Sequence, residues 1–168
     1  MTRKSERSRA ALLEVLLRES REELIRADGK ASILLASAGI IIGAVVAAIL
    51  ADEWNPSDLT CVRALLWWTG VVLALGGVAC LGYAVYPQTK RRKKTPHLIA
   101  YYGDVMRFDH DEDLVLALDR TASDPDARSL DQVRVISGIV ATKYRCIRYA
   151  LVGFAFAAAI LVLTAVTD

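Results

Sequence analysis

His110-Asp111 is the pair in this 168-residue chain that first suggests metal chemistry. A His–Asp pair of the phosphohydrolase kind holds metals only with a further His upstream and an Asp downstream. The chain has two histidines, the other being His97, so the set is incomplete. Asp109, Asp111, Glu112 and Asp113 resemble a ligand cluster, but acidic residues are also what the first turn of a helix favours. A Gly-rich phosphate loop, a Ser or Cys nucleophile beside a base, and a zinc-type spacing are all missing from the sequence. The residues predict no metal, no cofactor and no enzyme.

The remaining polar residues are positioned by a membrane. Ala31–Ala51, Ala64–Tyr86 and Tyr149–Thr167 are apolar runs of about 20 residues without a charged side chain, the length a helix needs to cross the hydrocarbon core. The expected fold is an all-α membrane protein with three transmembrane helices and a cytoplasmic helical bundle continuous with spans one and three. Its parts are a cytoplasmic amphipathic helix (1–30), the first span (31–51), an outer loop (52–63), the second span (64–86), a cytoplasmic helical sensor region (87–148) and the third span (149–167). The first span is too long for a signal-peptide core and lacks a small-residue cleavage site, so retention is expected.

The net charge of +2 is uninformative, because the basic residues cluster beside the spans. Met1–Lys30 carries eight Lys and Arg residues and Lys90-Arg91-Arg92-Lys93-Lys94 five more, whereas the loop between the first two spans holds Asp52, Glu53 and Asp58 against Arg63 alone. The positive-inside rule then puts the N-terminus in the cytoplasm and Asp168 outside. Trp54, Trp67 and Trp68 fall at the outer interface and Tyr83, Tyr86 and Tyr149 at the inner one, as aromatic belts require. Lys90–Lys94 reads as a stop-transfer anchor with affinity for anionic lipid, ahead of any nucleic-acid contact. Cys61, Cys80 and Cys146 fall outside, mid-span and inside, and are not expected to pair within one chain.

Leu13, Leu17, Ser20, Leu24 and Ala27 follow a 3–4 spacing that continues into Ala31, so one helix is expected to enter the membrane, with Gly29 as its weak point. Leu130, Val133, Ser137, Val140, Tyr144 and Ile147 form a matching stripe, opened by a capping box at Ser129–Gln132. Asp109 to Glu112 is a second cap, for a short helix to about Thr121, and Asp124-Pro125-Asp126 separates the two. His97–Phe108 is expected as a loop or short strand. Inside the spans, Ala36, Gly39, Gly43 and Ala47 line one stripe, Gly76 begins another with Cys80 and Ala84, and Gly153 with Ala157 form a third. Such stripes permit close helix approach, either within the chain or between copies in a homo-oligomer.

Three segments in order carry a resemblance. Arg26-Ala-Asp28-Gly-Lys30-Ala31-Ser-Ile-Leu-Leu35 is similar to the Asp-x-Lys-Ala signature that precedes the first span of Pycsar transmembrane effectors. Ile99-Ala-Tyr101-Tyr102-Gly103-Asp104-Val105 is similar to their aromatic–Gly–Asp segment. The run from Asp131-Gln132 through Lys143-Tyr144 to Arg148 is similar to the helix entering their last span. The resemblance implies a bacterial antiphage effector in the inner membrane, multi-pass with its N-terminus cytoplasmic. A partner uridylate or cytidylate cyclase makes cCMP or cUMP on infection, and the effector then impairs the membrane so that the cell dies before phage are released.

A cyclic pyrimidine mononucleotide carries one phosphate charge, a ribose and a flat base, and its pocket needs cationic donors, an aromatic wall and groups that read the base edge. Lys30, Lys143 and Arg148 can supply charge, Tyr101, Tyr102 and Tyr144 walls, and Asp28, Asp104 and Gln132 polar partners. Snorkelling at the inner headgroups is the competing role for each of the three cations, taken singly. A structural or accessory membrane subunit, and a two-span effector gated by another nucleotide messenger, stand as alternatives.

Overall fold

The computed structural model describes residues 2–51, 55–56, 59–86, 99, 102–106 and 108–166. Among these, every regular element is helical: α1 (Thr2–Leu50), α2 (Cys61–Val85), α3 (Tyr102–Val105), α4 (Asp111–Ser123) and α5 (Pro125–Val166). Three stretches, Arg7–Leu50, Cys61–Val85 and Pro125–Thr164, are long and apolar enough to cross a membrane. The chain forms two compact units. The first comprises Met1–Arg26 with Pro87–Ala141, the second Ala27–Tyr86 with Thr142–Asp168.

In the first unit, α1 is supported by spaced ion pairs, Arg18–Glu22 at 3.4 Å and Glu23–Arg26 at 2.8 Å. These are exposed, and pairs of this kind add only a few tenths of a kcal/mol each. Leu13 is buried and Leu17, Ser20 and Leu24 are half-buried, so the stripe expected from the sequence does turn inward. Ile99 is fixed by Thr121, whose Oγ1 accepts its N–H at 2.9 Å and donates to the Ala117 carbonyl at 2.6 Å. Thr121, Ala117 and Ile99 are all buried.

Three local expectations are corrected here. The last helix begins at Pro125, not at Ser129. Asp124 is the residue before it, and its Oδ1 accepts the Ala127 N–H at 3.0 Å. Proline suits the first helical position because its missing N–H has no intrahelical acceptor there, and the preceding carboxylate satisfies a later one. Second, α4 starts at Asp111 after His110, which makes no side-chain cap bond, and it runs to Ser123. The acids Asp111, Glu112 and Asp113 serve its positive end instead. Third, Tyr102–Val105 is one helical turn, where a loop or strand was expected.

The second unit is built on small residues. Ala27, Ala31, Ala84 and Ala150 are wholly buried together with Leu81 and Ile147. Alanine at four of these six positions lets α1, the end of α2 and the middle of α5 come close. From there α2 and α5 run antiparallel. A Cβ on Gly77 would lie 2.7 Å from the Phe154 ring, one on Gly70 would lie 3.0 Å from Leu161, and one on Gly153 would lie 3.4 Å from the Leu73 carbonyl. The buried positions of α2 are therefore Gly70, Gly77, Leu81 and Ala84; of the expected stripe Ala84 is buried and Cys80 packs against the core, whereas Gly76 is exposed. Cys80 and Cys146, expected at different depths, pack against the same core. Helix α1 passes through Gly29 unbroken.

Candidate functional site at the helix junction

The inward face of α5 explains the site. Its buried positions are Gln132, Ile136, Lys143, Ile147, Ala150, Ala157 and Thr164, spaced by threes, fours and sevens. That face shares Ile147 with the stripe expected on Leu130, Val133, Ser137, Val140, Tyr144 and Ile147, but before it runs about one residue out of phase with that stripe. Leu130 and Ser137 are exposed, and a lysine occupies the seam.

Lys143 is 4% exposed. Its Nζ donates to Asp28 Oδ1 of α1 and, at 2.6 Å, to the carbonyl of Ala84 near the end of α2. Both partners follow from helix chemistry. Ala84 is the penultimate residue of α2, so its carbonyl has no acceptor role inside the helix, and the helix end carries partial negative charge. A buried ammonium needs compensating charge and hydrogen bonds, and the Asp28 carboxylate supplies the charge. One side chain thus joins α1, α2 and α5. The Asp28 side chain keeps 44% of its surface exposed, so water screens its side of the pair.

Two residues further along α1, the Lys30 ammonium stands 5.2 Å from the centre of the Tyr144 ring, a cation–π distance. The second unit therefore brings together Asp28 with Lys143 and Lys30 with Tyr144. Arg148 lies exposed on α5 one turn beyond Tyr144. Asp104 and Gln132 belong to the first unit and are buried there, at 7% and 8%. The backbone of Tyr102 lies in α3, while its side chain and all of Tyr101 fall outside the described residues.

Of the small-residue positions, Ala36, Gly39, Gly43 and Ala47 are exposed, and a Cβ added at Gly39, Gly43 or Gly76 would meet nothing within 4 Å. Ala157 and Gly153 are used for packing inside the chain.

Two features lay outside the sequence reading. The Ala84 carbonyl is a backbone group, visible only once α2 is known to end beside α5. A groove of about 390 Å³ in the first unit is lined by Arg9, Leu12, Leu13, Asp124, Asp126 and neighbours. Arg9 is there paired with Asp126 at 3.3 Å, and Asp124 adds a second carboxylate, so the groove does not favour an anion. Among the described residues, no group of three or more His, Cys, Asp or Glu is placed to hold a metal ion.

Residues 12–167 match the Pycsar effector protein domain. The chain belongs to that family. The match takes in α1 from Leu12 onward and the other four helices whole, including the junction around Lys143. The Pycsar family comprises antiphage defence effectors that are linked to cyclic nucleotides and act at the membrane. No curated protein and no solved structure matches the chain.

Proposed function

We propose that this Pycsar effector senses a cyclic pyrimidine mononucleotide, cCMP or cUMP, and responds by assembling into homo-oligomers that impair the bacterial inner membrane and abort infection. The observation that carries the reading is the family match over residues 12–167, together with α1 and α5 each running without interruption from a polar segment into an apolar one. A helix continuous through both lets a binding event in the polar part alter packing among the spans. The protein works by binding, and its nucleotide comes from a partner uridylate or cytidylate cyclase. The exposed Lys30, the Tyr144 ring beside it and Arg148 offer a phosphate cation, a flat wall and a second cation on neighbouring turns. With the N-terminus cytoplasmic, these residues lie at the inner face.

The test is direct. Purified full-length protein in lipid nanodiscs is titrated with cCMP, cUMP and a purine control by calorimetry, and cells expressing it with and without the cyclase are followed with a potential-sensitive dye. Saturable pyrimidine binding and cyclase-dependent depolarisation are expected. Neither nucleotide binding the intact protein would refute the sensing reading.

A further inference from the structure

We infer that the Asp28–Lys143–Ala84 junction is a latch that holds the three long helices in a resting arrangement, and that the anion which opens it does so by taking the place of the Asp28 carboxylate on Lys143. The opening step rests on the function proposed above; the closed latch does not.

The geometry distinguishes a latch from ordinary packing. Around the junction the buried side chains are four alanines, Leu81 and Ile147, with Tyr144 and Phe154 among those packed against them, and such apolar contacts are non-directional. Lys143 is different, because its ammonium has two specific acceptors on two different helices. A slide of α1 or α2 by one turn along α5 is about 5.4 Å and separates at least one of those bonds. A buried ammonium left without its carboxylate is strongly disfavoured, so the arrangement is discrete. Two-state elements of this kind are what convert a local event into a rearrangement of helices.

The two partners of Lys143 are not equivalent. The Ala84 carbonyl is part of a helix end and cannot leave. The Asp28 carboxylate is nearly half exposed, so it can move into water at little cost. It is the replaceable partner. Charge balance then limits what can replace it. Lys143 carries one positive charge and Asp28 one negative charge. A phosphodiester monoanion brings one negative charge and several acceptor oxygens, so Lys143 stays neutralised while Asp28 is released. An uncharged ligand would leave the ammonium uncompensated. Lys30, on the neighbouring turn, holds a second cation over the ring of Tyr144, the residue next to Lys143.

The experiment uses the full chain reconstituted in vesicles of phosphatidylethanolamine and phosphatidylglycerol, loaded with a self-quenching dye. Four proteins are compared without nucleotide at equal incorporation: wild type, Asp28→Glu, Asp28→Asn and Lys143→Met. Loss of one charge-assisted bond on a half-exposed partner is expected to raise basal dye release about tenfold in Asp28→Asn and Lys143→Met. Asp28→Glu, which keeps the charge, is expected to stay near wild type. Wild-type release rates in both charge-removing variants, or equal leak from Asp28→Glu and Asp28→Asn, would overturn the latch. If Lys143→Met does not insert, Asp28→Asn decides the matter, because asparagine keeps the size and a hydrogen-bonding oxygen opposite Lys143. Wild-type vesicles then receive cCMP, cUMP or inorganic phosphate. Acceleration by a cyclic nucleotide to the Asp28→Asn rate supports displacement. No response to any of the three defeats the opening step and the sensing function while leaving the basal comparison valid. A response to inorganic phosphate alone assigns the opening to a simple anion and removes the nucleotide.

Discussion

Arg63 and Thr164 tie the beginning of α2 to the end of α5. The guanidinium donates from Nε at 3.3 Å and from Nη2 at 3.0 Å to the Thr164 carbonyl, which is in the last turn of its helix. A cation at a helix C-terminus meets both the unpaired carbonyls and the negative end of the dipole. Arg63→Met is expected to remove about 1.5–3 kcal/mol of stability. Thr164→Ala should cost much less at this contact, because the acceptor is backbone. Thermal unfolding in detergent checks the pair, and equal losses in both variants would contradict the assignment.

Gly77 and Gly76 are neighbours in sequence with opposite surroundings. A methyl group at Gly77 would lie 2.7 Å from Phe154, whereas one at Gly76 meets open space. Gly77→Ala is expected to destabilise by about 1–3 kcal/mol through forced movement of the ring. Gly76→Ala is expected to be neutral or slightly stabilising, since alanine is the better helix former. Melting temperatures in the same detergent separate the two.

In the assembly proposed above, the exposed stripe of α1 is the expected face for self-association. Gly39→Leu and Gly43→Leu are expected to leave the monomer's stability unchanged, because nothing lies within 4 Å of either position. Crosslinked ladders in membranes are expected to shorten, each small-residue contact being worth about 1 kcal/mol or less. Unchanged ladders in the double variant would exclude this face.

Thr121→Val removes the acceptor for the buried Ile99 N–H. An unsatisfied buried amide costs about 1–3 kcal/mol, so the segment around Ile99 should open more often. Amide exchange at Ile99 is expected to accelerate by about tenfold or more. Exchange at wild-type rate would show that another group takes the threonine's place.

A reporter fused after Asp168 should be active only when exported to the periplasm. This follows from the basic residues of Met1–Lys30 and Lys90–Lys94 flanking the first and second spans. Cytoplasmic activity would reverse the topology and place Lys30 and Arg148 away from any cytoplasmic nucleotide.

Long-range architecture was legible because hydrophobic length is a physical requirement of the bilayer. The three apolar runs and the stripe of Leu13, Leu17 and Leu24 could be counted directly from the chain. The phase of α5 was not, because Leu130, Val133, Ser137, Val140, Tyr144 and Ile147 also keep a 3–4 spacing, one that passes beside Lys143. Gln132, Ile136, Lys143, Ile147 and Ala150 hold the helical period just as well, and a lysine in phase with such a seam signals a buried charge with a partner. In the sequence Asp28 reads only as a polar partner for a nucleotide. Its bond to Lys143 spans 115 positions, and no local pattern reports contacts of that range. The cap at Asp124 was missed because Ser129–Gln132 presents the same signature one turn later, inside the helix.

That same separation sets the order in which the protein comes into being. At roughly 5–20 residues per second, about 6–23 s of synthesis pass between the addition of Asp28 and the addition of Lys143. During that interval α1 and α2 already exist, and the Lys143 side chain that bonds to both has not been made. A nascent or prematurely terminated chain ending before α5 therefore carries two membrane-type helices and an Asp28 with no ammonium to meet it. In the latch inferred above, completion of translation supplies the restraint, and a nonsense mutation ahead of α5 yields a chain that lacks it.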